Sequence, residues 1–360
     1  MNTHAKETHA SLTPKPLRQS NMELLRIVSM LLVVVVHTGF FALGRPSVTD
    51  IVSECGASFA RNLTQAFATG CVDLFVLLTG YFGIKRPSVR GLANLLFQAA
   101  FYTIGIFAVL CAAGIVPFGK EEVLHALMIT RGYWFINSYV CLYLLTPWLN
   151  RLVERMSRRD LGRLLIGFFA LQTAVVWGLN IGNFFIGGYS LTSFMSLYLV
   201  MRYIRIHGGR WTARSRWADL GIVVAVPFVI AGLELANTWQ GWNFFGNDIK
   251  FHPDLYSYIN PLVLLAAVHL VLFMSKIRFT SRAVNHLAAS SLAVYLLHLN
   301  PLVVNYFKTA VRTIHTLPTW QIPFATAALI LAIFAAAYVL DQLRLALWRT
   351  LTRHLPLLQK

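Results

Sequence analysis

Residues 21–40 read NMELLRIVSMLLVVVVHTGF, the start of an apolar run that extends from Leu24 to Gly44. This run is long enough to cross a bilayer as one helix. Arg26 and His37 lie within it, eleven positions apart. Because a helix turns by about 100° per residue, this spacing brings both side chains to nearly the same face, about three turns apart. Ionisable groups in a membrane face protein or a wet cavity, so we interpret the pair as functional.

The composition supports a membrane protein. The chain has 360 residues, of which 57% are hydrophobic and only 12% are charged. The 31 Lys and Arg residues outnumber the 14 Asp and Glu residues, but they lie in short clusters between apolar runs, as membrane topology requires. We therefore predict no nucleic-acid partner. The four cysteines lack the spacing of metal ligands, and we predict no metal.

The hydropathy pattern predicts an all-α, polytopic membrane protein of about ten transmembrane helices around a central polar cavity. The ten predicted spans are residues 24–44, 64–84, 91–113, 132–150, 164–181, 184–206, 218–236, 256–275, 284–306 and 322–343. With a cytoplasmic N-terminus, only seven of the 31 basic residues fall outside, in agreement with the positive-inside rule. These seven are Arg45, Arg61, Lys120, Arg131, Lys250, Lys308 and Arg312.

The domain organisation follows from these spans. Residues 1–20 are polar and predict a disordered cytoplasmic N-terminus. Residues 21–345 form the membrane domain, and residues 346–360 form a cytoplasmic C-terminal tail. An even number of spans places both termini in the cytoplasm.

Two further ionisable residues are predicted near the depth of His37. Asp73 lies near the middle of the second span and His298 slightly beyond the middle of the ninth. A neutral imidazole can accept a proton, and a carboxylate behind it would fix its tautomer, so His37 and Asp73 could form such a pair. The alternatives are structural. Asp73 could accept hydrogen bonds between helices, His298 could bond a backbone carbonyl, and Arg26 could be a charge that sets topology.

Aromatic residues mark candidate positions for an acceptor. Residues 237–255 combine tryptophans and phenylalanines with amides and acids, including Trp242 and Asn243. Such a loop suits either an interfacial aromatic belt or a platform on which a sugar stacks. We add Trp134 and Tyr139 of the fourth span as candidate acceptor-binding residues.

Five ordered segments resemble one known family, the family-3 membrane acyltransferases. The first segment carries an arginine and a histidine separated by ten residues, which is the opening signature of that family. The second is similar to the family's second-helix segment, with Thr79 where serine is usual. The segments are NMELLRIVSMLLVVVVHTGF, VDLFVLLTGYF, WFINSYVCLYLLTPWLN, SFMSLYLVMRYIR and VNHLAASSLAVYLLHLNPLV. Together they cover roughly residues 21–345, and the last three resemble the branch that modifies polysaccharides.

The resemblance implies an O-acyltransferase of the cytoplasmic membrane. Such an enzyme takes an acyl group, most often acetyl, from acyl-coenzyme A and delivers it to a hydroxyl of a cell-surface polysaccharide or its lipid-linked precursor. His37 corresponds to the family's essential histidine and Arg26 to its paired arginine. His37 would act as general base or carry the acyl group transiently, and Asp73 or His298 would assist.

Basic residues at the cytoplasmic mouth are candidates for binding the phosphates of acetyl-CoA. They are Arg26, Lys85, Arg86, Arg202 and Arg205. The segment after the second span has fewer arginines than in many family members. A secondary transporter is the alternative of another class, since it too would have about ten helices and buried ionisable residues.

Overall fold

The computed structural model describes residues 18–130, 132–175, 186–240 and 254–354. Within these ranges the chain is helical and contains no strand, which confirms the all-α class there. The helices are α1 (Ser20–Val36), α2 (Val48–Ser53), α3 (Cys55–Thr69), α4 (Cys71–Phe82), α5 (Val89–Ala112), α6 (Lys120–Leu127), α7 (Trp134–Arg155), α8 (Arg158–Thr173), α9 (Leu191–His207), α10 (Arg216–Gln240), α11 (Pro261–Ser275), α12 (Arg282–Ala288), α13 (Ser291–His298), α14 (Val304–Ile314) and α15 (Ile322–His354).

In the described part of the chain, five helical segments are long and apolar enough to cross a membrane. They are Ser20–Phe41, Cys55–Phe82, Val89–Ala112, Arg216–Trp239 and Ile322–His354. Helix α11 is apolar but has only 15 residues. The structure therefore supports a membrane protein, while the count of ten spans stays a prediction. The last helix continues to His354, nine residues beyond the predicted end of the membrane domain.

The first helix is the centre of the bundle. It contacts α3, α4, α11, α12 and α13. Leu25, Val34 and other apolar residues of α1 are buried in the main core. We call its two ends the Arg26 end and the His37 end, after the ionisable residue nearer to each.

The predicted ninth span is not one continuous helix. Helix α13 ends at His298, and the chain turns before α14 begins at Val304. Asn300 holds this turn, because its side chain accepts from the Leu302 backbone NH at 3.0 Å. It also donates to the Tyr133 hydroxyl at 3.1 Å. Pro301 follows directly and disfavours helical geometry in the residue before it. The break leaves His298 as the last residue of its helix.

Helices α4 and α9 pack closely at one glycine. A Cβ at Gly80 would lie 2.7 Å from the backbone oxygen of Tyr198 and 3.0 Å from the Cβ of Met201. Small residues at such crossings let two membrane helices approach each other. This contact fixes α4, which carries Asp73 and part of the cavity wall described below.

Candidate active site

His37 lies where the first helix changes its winding. Residues His37–Phe41 form one turn of π-helix directly after α1. Gly39 has a non-helical ψ of −121°, and the backbone NH of Phe40 donates to Gln65 Oε1 at 3.3 Å. Single π-helical turns are frequent at functional sites. This turn leaves His37 beside α13, which carries His298.

The two histidines form a hydrogen-bonded relay. His37 Nδ1 lies 3.0 Å from His298 Nε2, and His298 Nδ1 lies 2.6 Å from the backbone oxygen of Val294. Because a carbonyl oxygen only accepts, His298 Nδ1 carries a hydrogen. With both rings neutral, His298 Nε2 is an acceptor and His37 Nδ1 donates to it. The Nε2 of His37 then holds a lone pair and no hydrogen.

A cavity of about 420 Å³ lies against His37. This volume is within the usual range for small-molecule sites. Its wall is largely apolar and aromatic, unlike the polar cavity predicted from the sequence. The residues that line it are Met30, Val33, His37, Phe41, Cys71, Val72, Phe75, Gly132, Trp134, Phe135, Tyr189, Tyr258, Leu292, Tyr295, Leu299, Pro301 and Val304. Because His37 Nδ1 is hydrogen-bonded to His298, the other ring nitrogen of His37, Nε2, is the one that can contact a ligand.

Asp73 does not hold His37 as the sequence predicted. The imidazole partner of His37 is His298. Asp73 is fully buried, and neither carboxylate oxygen has a hydrogen-bond partner among the described residues. The pairing was wrong because position along a span gives depth but not the side of the helix that faces a neighbour. Any role of Asp73 in the chemistry stays a prediction.

A second cavity, of about 450 Å³, lies toward the Arg26 end. It shares no lining residue with the first, so the single predicted cavity appears as two in the described structure. Its lining mixes apolar and polar side chains and carries three basic ones; it comprises Tyr81, Met201, Ile204, Arg205, Gly208, Thr212, Ala213, Arg214, Leu272, Ser275 and Lys276. We call it the basic pocket. The guanidinium of Arg205 lies 4.7 Å from the centre of the Tyr81 ring in its wall.

The predicted phosphate-binding residues are only partly brought together. Arg205 lines the basic pocket. Arg202 instead packs against Gly83, where a Cβ would lie 2.5 Å from its Nη1 atom. Lys85 and Arg86 are exposed in the segment that follows α4.

Arg26 is partly exposed and forms an ion pair with Glu23, one turn earlier. It does not line the basic pocket. Tyr139 lies within electrostatic range of its charge, and the Tyr139 hydroxyl lies 3.2 Å from the Thr79 hydroxyl. Arg26 therefore lies near Tyr139 and lines neither the basic pocket nor the His37 cavity.

The predicted acceptor-binding aromatics occupy different places. Trp134 lines the His37 cavity, where its ring lies 4.3 Å from that of Tyr189. Tyr139 stacks on Phe135 behind the cavity wall, with the ring centres 5.6 Å apart. Trp242 and Asn243 lie outside the described residues.

Sequence reasoning missed part of the basic pocket. Lys276 lines it and is held by the buried Asp219. Asp219 also accepts from His269 Nδ1 at 2.8 Å. The three residues come from α10, α11 and the segment after α11. Hydropathy alone gave no signal for this contact, because it does not show that the start of the span 218–236 lies beside the end of the span 256–275.

The family model described as an acyltransferase domain matches residues 19–340. The chain therefore belongs to the family-3 acyltransferases. No curated protein and no solved structure matches it. Membership favours an acyltransferase over the transporter considered above.

Proposed function

We propose that this protein is an integral-membrane O-acyltransferase of the cytoplasmic membrane. It transfers an acetyl or other short acyl group from acyl-CoA to a hydroxyl of a cell-surface polysaccharide or its lipid-linked precursor. The observation that carries the proposal is the relay from Val294 through His298 to His37, which leaves a basic nitrogen at the wall of a ligand-sized cavity.

The relay supports general base chemistry. His37 Nε2 takes the proton of the acceptor hydroxyl as the hydroxyl oxygen attacks the thioester carbonyl. A C–O bond forms, the C–S bond breaks, and the leaving thiolate takes the proton back from His37. His298 keeps the imidazole of His37 in the required tautomer and accepts a hydrogen bond from the imidazolium that forms. The same lone pair also serves a route in which His37 Nε2 first accepts the acyl group.

The two cavities suit the two ends of the donor. Arg205, Arg214 and Lys276 of the basic pocket supply charge-assisted hydrogen bonds for phosphates. The spacing of Arg26 and His37 corresponds to about 16 Å along one helix, from the rise of about 1.5 Å per residue. An extended pantetheine arm has a similar length. We therefore propose that the arm follows α1 from the basic pocket to His37.

The aromatic wall suits a sugar acceptor. Trp134, Tyr189 and Tyr258 present ring faces and hydroxyls around the His37 cavity. Rings of this kind cover the apolar face of a sugar, and hydroxyls bond to its edge. This assignment makes the His37 cavity the place where acceptor and thioester meet.

The test is transfer in a purified system. The protein is reconstituted into liposomes with radiolabelled acetyl-CoA and an envelope glycan fraction from cells that lack the gene. The wild type should release CoA and label the glycan, and His37→Ala should lose both activities at equal abundance. His315→Ala is the matched control, because His315 is exposed outside both cavities. Transfer near the wild-type rate by His37→Ala would overturn the proposal.

A further inference from the structure

A lysine lies beside the His37 cavity, and no acidic residue of the described ranges pairs with it. Lys308 Nζ lies 4.0 Å from the centre of the Phe41 ring. Phe41 lines the cavity, and its ring is 5.0 Å from that of His37. Lys308 is also within electrostatic range of His37. An ammonium group is thus held close to the reacting centre, on the opposite side of the bundle from the basic pocket.

The helix that carries Lys308 borders the same cavity. Val304 lines the cavity and precedes Lys308 by four residues on α14. Residues four apart lie on one face of a helix. Phe307, between them, is buried and packs against His298, with the ring centres 5.3 Å apart. This packing fixes α14 against the relay and holds Lys308 at the edge of the cavity.

The neighbouring arginines at this end of α1 are already engaged. Arg45 pairs with Glu234 and Asp254. Arg312 donates to the backbone oxygen of Ala42 at 3.0 Å, and Arg61 donates to that of Gly44 at 3.0 Å. Lys308 has no carboxylate within 4.0 Å in the described part of the chain.

The described part of the cavity wall presents no carboxylate to an anion near Lys308. None of the described residues that line the His37 cavity is an aspartate or a glutamate. The contact with Phe41 engages one side of the ammonium group and leaves other N–H donors for a ligand. The donor's phosphates would lie in the basic pocket, at the far end of α1. The acceptor is therefore the substrate that can bring an anionic group to Lys308.

We propose that Lys308 binds an anionic group, a carboxylate or a phosphate, on the acceptor sugar and so selects acidic glycans over neutral ones. This inference rests on the proposed function, because it places the acceptor in the His37 cavity. It adds the chemical class of the acceptor, which the family assignment does not give.

The test measures binding without catalysis. Three radiolabelled probes, hexyl glucoside, hexyl glucuronide and hexyl glucose 6-phosphate, are dialysed to equilibrium against the purified, monodisperse full chain. The wild type should bind at least one anionic probe about tenfold more tightly than the glucoside, as a charge-assisted hydrogen bond provides. The two anionic probes distinguish a carboxylate from a phosphate as the preferred group.

Variants then assign the preference to one residue. Lys308→Met should lose the preference and bind the glucoside as before, whereas Lys308→Arg should keep it. Lys120→Met is the matched control, because Lys120 is exposed and lines neither the His37 cavity nor the basic pocket. Equal binding of all three probes by the wild type, or a preference that survives Lys308→Met, would overturn the inference.

Adding acetyl-CoA to the same samples separates the two proposals. An anionic preference without acyl transfer to any probe, or to the envelope glycan fraction, would remove the proposed function and leave the site at Lys308. Acyl transfer with no anionic preference would remove the site and leave the function.

Discussion

His298 controls which nitrogen of His37 is available, and this gives a prediction at the scale of one residue. In His298→Gln, the side-chain oxygen reaches about as far as His298 Nε2 and can accept from His37 Nδ1. We expect this variant to retain most of the transfer activity. His298→Leu removes the acceptor, and we expect a loss of about 10²-fold or more in kcat. The measurement is acetyl transfer as a function of pH at equal protein abundance. Equal activity of the Gln and Leu variants would contradict the relay.

Arg26 allows a second prediction, because its visible partner is Glu23. If Arg26 binds donor phosphate, Arg26→Lys should raise the apparent KM for acetyl-CoA by about tenfold, since lysine lacks the planar fork. Glu23→Gln should lower that KM or leave it unchanged, since it releases Arg26 from the ion pair. The measurement is the donor dependence of both variants. If both variants instead lose activity equally with unchanged donor dependence, the ion pair with Glu23 is the main role of Arg26.

Single residues also show what sequence can and cannot supply. The Arg26–His37 spacing and the depth of His298 are visible in the chain, because helical rise and hydropathy fix position along a span. The partner of His37 is not visible, since it depends on how α13 is rotated after the break at Asn300 and Pro301. The hydrogen bond from His298 to the carbonyl of Val294 cannot be predicted from the sequence either, because every residue has a backbone carbonyl.

At the scale of elements, the π-helical turn packs closely against Gln65, whose Oε1 accepts from the Phe40 backbone NH. A Cβ at Gly39 would lie 2.7 Å from Gln65 Oε1. Gly39→Ala should therefore displace Gln65 or reopen the turn and shift His37. Misplacement of a catalytic group by about 1 Å can cost about 10²-fold in rate. We expect a loss of this order in transfer with normal insertion, and partial recovery in Gly39→Ala/Gln65→Ala. A double variant no better than the single one would contradict the steric account.

The crossing of α4 and α9 gives a stability prediction. Gly80→Ala introduces a methyl group 2.7 Å from a backbone oxygen, and overpacking of this kind costs about 1–3 kcal/mol. Thermal unfolding in detergent should show a lower Tm. Gly105→Ala is the control, because a Cβ there meets nothing within 4 Å. An unchanged Tm for Gly80→Ala would show that the helices separate at little cost.

Elements were predicted with uneven success for a physical reason. The long apolar helices at Val89–Ala112 and Ile322–His354 are evident, because hydropathy reports lipid exposure over many residues. The ninth predicted span is not one continuous helix, since polar capping by Asn300 interrupts a stretch that is apolar on average.

At the scale of the whole molecule, the distribution of charge predicts orientation. The positive-inside rule places the Arg26 end in the cytoplasm and the His37 end outside. Cys55 is exposed beyond the His37 end. In a chain with the other three cysteines changed to serine, an impermeant thiol reagent should label Cys55 in intact spheroplasts. With Cys55 also changed to serine, Lys85→Cys should label only after lysis. The reverse pattern would invert the topology.

The relay that ends at Val294 bears on how protons can move through the membrane domain. A backbone carbonyl accepts a hydrogen bond but does not pass a proton onward, so the chain from His37 through His298 stops there. A catalytic site served from both faces of a membrane could otherwise act as a wire for protons and dissipate the transmembrane gradient. Because this chain of donors ends at a carbonyl, His37 exchanges its proton at Nε2, on the side of the cavity, and not through His298. Under the proposed function, an acyl group would then reach an acceptor outside without a proton path that runs onward from His298.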